Sequence, residues 1–271
     1  MGADINARLM LISDTVMAFL QCDIYSEALE MSTSVNVINP FAMRNIKGYK
    51  TEKICPPPVL YLLHGISDDH TMWMRRTSIE RYVMGLNITV VMPAAARSFY
   101  RDMEHGYKYF TYIAYELPEI IESMFKVSPA REDTFMAGFS MGGYGAYKIA
   151  LSRPERYYAA ASMSAPLDSR STYDLYKDIR DVELIFGDNG PTDQDDLTYL
   201  AKNIKGSKPK LYQCCGIEDV FYKNNLKFIE EIAGLGFDHI YEEGPGEHTW
   251  DYWDENIKKV MDWLKSINNN I

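Results

Sequence analysis

The stretch MAGFSMGGYGAYKIAL, residues 136–151, centres Ser140 in a Gly-x-Ser-x-Gly pattern made by Gly138, Phe139, Ser140, Met141 and Gly142. An apolar run precedes it, EDTFMAGF, in which Thr134, Phe135 and Met136 suit a buried strand. A helical stretch follows, YGAYKIALSRPERY, and ends near Pro154. A strand-to-helix turn this tight strains the backbone of its middle residue and tolerates only small neighbours. It leaves a hydroxyl exposed at the top of a sheet, beside the amino end of a helix. A glycine-rich turn that merely contains a serine satisfies the same bare pattern. The rest of the chain must therefore supply a base, an acid and an oxyanion hole.

Strand-like and helix-like runs alternate through most of the chain. MSTSVNVINP, PPPVLYLLHG, NITVVMPAA, RYYAAASMSAP, PKLYQCCGIED and FDHIYEEGPGEH read as strands with their loops. MWMRRTSIERYVMGL, TYIAYELPEIIESMF, NNLKFIEEIAGLG and WDYWDENIKKVMDWLKSI read as helices. The alternation predicts an α/β fold with a mostly parallel central sheet and helices on both faces. Residues 167–209 break the rhythm with acid, tyrosine and turn residues, longer than one connecting helix needs. This segment is a candidate cap-like insertion over the site, or else a solvated excursion.

The chain has 271 residues, with 28 Lys and Arg against 38 Asp and Glu, a net charge of −10. That balance argues against nucleic acid or an anionic membrane surface as the main partner. Cys22, Cys55, Cys214 and Cys215 are few and irregularly spaced, which fits reduced thiols and a cytoplasmic location. The first residues lack a basic region followed by an unbroken apolar run, because Asp14 interrupts the candidate, and no stretch approaches the length of a membrane span. Residues 1–16 read as an N-terminal extension, and residues 17–271 as one domain.

A serine hydroxyl attacks a carbonyl only when a base takes its proton, and histidine is the usual base. Of five histidines, His64, His70 and His105 precede Ser140, whereas strand-turn-helix hydrolases place the histidine last, after the acid. His239 lies in a strand-like run and reads as a packed or surface residue. His248 follows a glycine-proline loop and directly precedes the last helix, so it is the candidate base. For the acid that orients the imidazole, Asp219 follows the strand KLYQCCG; Asp188 is second, with Asp168 and Asp251 behind. The structural alternative for Asp219 is a carboxylate at a helix amino end. The oxyanion hole needs two amides, expected from Met141, after the nucleophile, and from Ile66 in YLLHGIS. His64, Asp68, Asp69 and His70 match no strong metal motif, so no metal is expected. Trp250, Tyr107 and Tyr109 are candidate walls of a substrate pocket, with core or surface packing as the alternative.

With these residues assembled, the chain resembles the esterase D-type branch of the α/β-hydrolases, which includes tributyrin esterases, acetyl and feruloyl carbohydrate esterases, and S-formylglutathione hydrolases. The likeness runs from about Met17 to the end, carried in order by MSTSVNVINP, YLLHGISDDHTMWMRRTSIERYV, DMEHGYKYFTYIAYELP, AGFSMGGYGAYKIAL, CGIEDVFYKNN and GEHTWDYWD. It implies the α/β-hydrolase fold, with Ser140 as nucleophile, Asp219 as acid, His248 as base, and the Met141 and Ile66 amides as the oxyanion hole. The implied activity is a serine carboxylesterase acting through an acyl-enzyme on short-chain, acetyl or feruloyl esters, small or carbohydrate-linked, with no cofactor. HGISDDH and HTWDYWD stand closer to the tributyrin and carbohydrate esterases than to the S-formylglutathione hydrolases. A thioesterase of that latter type, or an acyltransferase on the same triad, is the alternative, and the resemblance also allows a homo-oligomer.

Overall fold

The computed structural model describes residues 15–42, 55–177 and 181–271. The eight strands are β1 (Thr15–Ser26), β2 (Met31–Ala42), β3 (Val59–Leu63), β4 (Thr89–Pro93), β5 (Thr134–Phe139), β6 (Ala159–Met163), β7 (Lys210–Gly216) and β8 (His239–Gly244). They form one sheet in the order β1-β2-β4-β3-β5-β6-β7-β8. β1 and β2 form an antiparallel hairpin, β2 meets β4 antiparallel, and all other neighbours are parallel. This is the α/β-hydrolase fold.

The central strands are apolar on both faces because both are covered. Alternate side chains of one strand therefore enter different cores. Tyr61, Leu63, Val91 and Met136 join one core, while Leu60, Leu62, Val90, Phe135, Ala137 and Phe139 join the other. The helices are α1 (Met72–Arg76), α2 (Ile79–Val83), α3 (Tyr109–Thr111), α4 (Leu117–Phe125), α5 (Met141–Ser152), α6 (Ser169–Tyr176), α7 (Val182–Phe186), α8 (Leu197–Asn203), α9 (Tyr222–Ile232) and α10 (Trp250–Ile267). α5, α8 and α9 contribute to the first core, and α1, α2 and α10 to the second.

Three local expectations change. β1 has no counterpart in the strands read from sequence. The run MWMRRTSIERYVMGL divides into α1 and α2, because Thr77 turns extended and its hydroxyl takes the Trp73 carbonyl at 2.6 Å. The helix over TYIAYELPEIIESMF contains a π-helical turn at Tyr112–Glu116. The extension expected over 1–16 lies outside the described residues except for Thr15 and Val16, which open β1.

The 167–209 segment holds α6, α7 and α8 between β6 and β7. One buried carboxylate ties it to the body. Asp195 Oδ1 accepts from Lys148 Nζ of α5 at 2.7 Å and from Arg101 Nε at 3.2 Å, while Oδ2 accepts the Thr192 amide and hydroxyl, each at 2.9 Å. Burial pushes the Asp195 carboxyl up, but the Lys148 ammonium, the Thr192 amide and Arg101 outweigh it and hold the group below the usual carboxylate range. Among the described residues no helix is long and apolar enough to cross a membrane.

Candidate active site

β5 delivers Ser140 from the middle of the sheet, and α5 begins at the next residue. Ser140 has φ 52° and ψ −125°, a conformation that a side chain bearing a Cβ adopts only under constraint. The constraint is visible on both sides. Its amide donates to Met163 O at 2.9 Å, and its carbonyl accepts the Tyr144 amide at 3.1 Å. A Cβ on Gly142 would stand 2.4 Å from Leu63 O, so the first turn of α5 rests directly on the end of β3.

The loop after β3 is held against this bend. A Cβ on Gly65 would stand 2.6 Å from the Phe139 ring, which brings the Gly65–Ile66 backbone beside the residue before Ser140. His64 is buried and bonded through both ring nitrogens: Nε2 accepts the Ala95 amide at 2.9 Å, which leaves Nδ1–H to donate to Gly65 O at 2.7 Å. Burial lowers its pKa to about 4, only partly offset by the Gly65 bond, so the ring is neutral at pH 7. The Tyr100 hydroxyl donates to His64 O at 3.0 Å. Neither the Ile66 nor the Met141 amide is given to an acceptor among the described residues, as expected for Met141 at the first position of a helix.

His248 and Asp219 arrive from the far side of the sheet. His248 Nε2 lies 3.0 Å from Ser140 Oγ, and Nδ1 lies 2.9 Å from Asp219 Oδ2. The Asp219 side chain is fully buried, and its other oxygen accepts the Phe221 amide at 2.8 Å. The helix-start carboxylate and the partner of the imidazole are thus the same group, one oxygen serving each. Nδ1 carries the proton toward the carboxylate, which leaves the Nε2 lone pair facing the serine hydroxyl. Phe221 and Trp253 wall the imidazole edge-to-face at 5.3 and 4.9 Å.

The other candidates lie elsewhere. Asp188 is exposed after α7, Asp168 caps α6 and pairs with Lys227, and Asp251 is exposed in the first turn of α10. His105 is exposed, and His239 opens β8 with its pKa lowered to about 4 by burial. Trp250 packs on Phe139 at 4.5 Å, Trp73 at 5.4 Å and Trp253 at 5.3 Å, so its ring backs the bend. Tyr109 is buried at the start of α3, and half-exposed Tyr107 meets its ring at 6.4 Å. Among the described residues no cluster of three or more His, Cys, Asp or Glu side chains could hold a metal ion.

Sequence reasoning missed Tyr100, Phe221 and Trp253. Trp253 was findable, since Trp250, Trp253 and Ile257 repeat with helical spacing on the buried face of α10. Tyr100 carried no signal, because its role depends on a contact with a carbonyl 36 residues away.

The chain is 31% identical to the acetyl esterase of Caldicellulosiruptor saccharolyticus across 93% of its own length and 99% of the relative's. Among solved structures, fluorophosphonate-binding serine hydrolase F (FphF) of Staphylococcus aureus superposes with a TM-score of 0.83 at 34% identity, covering 93% of this chain and 99% of that one. The S-formylglutathione hydrolase FrmB of the same organism superposes at 0.78 with 33% identity, covering 93% of this chain and 100% of the other. The Esterase family model matches residues 26–264, nearly all of the described fold, and the chain belongs to that family.

Proposed function

We propose that the protein is a serine carboxylesterase that removes short acyl groups, acetyl above all, from an alcohol by way of an acyl-enzyme. The observation that carries this reading is the unbroken relay from Ser140 Oγ to His248 at 3.0 Å and on to Asp219 at 2.9 Å. Similarity to an acetyl esterase supports the acyl preference.

In this mechanism Nε2 of His248 takes the Ser140 proton as Oγ attacks the ester carbonyl. Asp219 holds the imidazole in the correct tautomer and stabilises the imidazolium that forms. The Ile66 and Met141 amides receive the developing oxyanion. Donors fixed in advance there need no reorganisation as charge builds, and one such donor is worth roughly 3–4 kcal/mol in barrier. The alcohol leaves with the proton from Nε2, and water activated by the same nitrogen then hydrolyses the acyl-enzyme.

A thioester reading is the second, favoured by the likeness to FrmB. The deciding experiment compares kcat/KM on p-nitrophenyl acetate, p-nitrophenyl butyrate, methyl ferulate and S-formylglutathione, with Ser140→Ala alongside. The proposal expects the acetyl ester to lead and the Ser140→Ala protein to lose about 10⁴–10⁶ in kcat. A lead for S-formylglutathione would replace it with the thioesterase, and full activity in Ser140→Ala would overturn both.

A further inference from the structure

His248 stands on a loop, and a base on a loop is only as well placed as the contacts that fix the backbone beside it. β7 and β8 are in register as far as Gly216 and Gly244. Beyond that point the acid-bearing chain turns away, with the Asp219 amide donating back to Gly216 O at 3.1 Å. The ladder continues in altered form. The Ile217 amide donates to Gly244 O at 3.0 Å, and the Glu218 amide to Gly246 O at 3.2 Å. The return bond, from the Gly246 amide, goes to the Glu218 side chain, whose Oε2 accepts it at 2.7 Å. A carboxylate thus supplies the acceptor that a straight strand would have supplied from its backbone.

Gly246 is closely confined. A Cβ on Gly216 would stand 2.0 Å from Gly246 O, and a Cβ on Gly246 would stand 2.3 Å from the Tyr252 ring. Two residues after this pinned position comes His248. One residue after Glu218 comes Asp219. The same two-residue bracket therefore fixes the loop of the imidazole to the loop of its carboxylate.

We infer that Glu218 is a positioning residue for the reaction: by accepting the Gly246 amide it locks the His248 loop to the Asp219 loop and sets the imidazole between Asp219 and Ser140. The inference rests on the esterase reading above. It acts through His248 and touches no reacting atom. Its carboxylate is exposed, so the hydrogen bond and not the charge is the working part.

Glutamine keeps an acceptor oxygen at the same reach, and alanine keeps none. The test compares wild type, Glu218→Gln, Glu218→Ala and Ser140→Ala on p-nitrophenyl acetate, with hydrogen–deuterium exchange over residues 245–249. Glu218→Ala is expected to lose about tenfold to a hundredfold in kcat. Its KM should stay within about twofold, since acyl binding is not what the bond serves. Exchange at Gly246 should quicken in the alanine protein, and Glu218→Gln should restore both kcat and protection to near wild type. Wild-type kcat in Glu218→Ala, or a glutamine variant as impaired as alanine, would overturn the inference while Ser140→Ala remains inactive. An active Ser140→Ala protein would instead overturn the esterase reading on which it stands. Exchange measured on the same samples shows whether the alanine protein is folded outside 245–249, and general loss of protection with no rescue by glutamine would also sink the inference.

Discussion

Gly142 and Leu63 lie so close that a single methyl group on the glycine would stand 2.4 Å from the leucine carbonyl oxygen, and 2.7 Å from that of His64. Through this contact the helix that follows Ser140 sits on the strand that ends at the Gly65–Ile66 loop. The spacing of the proposed nucleophile and the proposed oxyanion donors is thereby built into backbone.

Gly142→Ala is accordingly expected to destabilise the protein by about 1–3 kcal/mol, the usual cost of overpacking a tight site. Gly244→Ala is the control, because a Cβ there meets nothing within 4 Å. Thermal melts should separate the two, with Tm falling roughly 2–4 °C per kcal/mol for the first and holding for the second.

Asp219→Asn is expected to reduce kcat on the order of 10⁴, by presenting an amide that favours the wrong imidazole tautomer. Asp188→Asn should leave kcat unchanged, since Asp188 is an exposed residue after α7. Steady-state kinetics on p-nitrophenyl acetate checks both, and the opposite ranking would reassign the acid.

Asp195→Ala strands the Lys148 ammonium and Arg101 without their shared carboxylate. The expected loss is about 3–5 kcal/mol, the range for leaving buried charge uncompensated. Lys148→Met should cost less, because Arg101 still pairs with Asp195 at 3.2 Å. Urea unfolding midpoints of the two variants provide the comparison.

His64 and His239 are both held by burial near a pKa of about 4, below the ordinary value of 6.5. Between those two values the unfolded chain binds protons that the folded chain refuses. Stability is therefore whole above pH 6.5 and falls as the pH drops toward 4. Among the described residues His239 Nε2 has no hydrogen-bond partner, so His239→Leu removes one of the two contributions without breaking a described bond from that nitrogen. Urea midpoints at pH 7 and pH 5 should differ less in His239→Leu than in wild type; an unchanged difference would remove His239 from the account.

Much of the candidate site was legible because the proposed chemistry imposes order on the chain. A bend that only glycines permit marks Ser140, and the late glycine-proline loop marks His248. Asp219 was legible as a carboxylate at a strand end, although two uses competed for it. What stayed hidden depends on contacts between distant segments. β1 mixes Phe19 and Tyr25 on its exposed side with Leu20, Cys22 and Ile24 against the core, so its pattern is blurred until β2 pairs with it. The break between α1 and α2 is fixed partly by Asp254 of α10, which accepts the Ser78 amide at 3.3 Å and the Tyr82 hydroxyl at 2.8 Å. No local window contains that partner.

The relay residues stand at 140, 219 and 248, behind β5, β7 and β8, and the last of them is backed by a tryptophan on the final helix. Domains are made from the amino end onward. A chain emerging from the ribosome can therefore display the serine bend, and even the proposed acid, while the proposed base and its aromatic support are still untranslated. Such a nascent chain has parts of a hydrolase without the complete relay that the proposed mechanism needs. The capacity to cut esters is thus acquired late in synthesis, and on the proposed reading a stop before His248 yields a hydroxyl with nothing to take its proton.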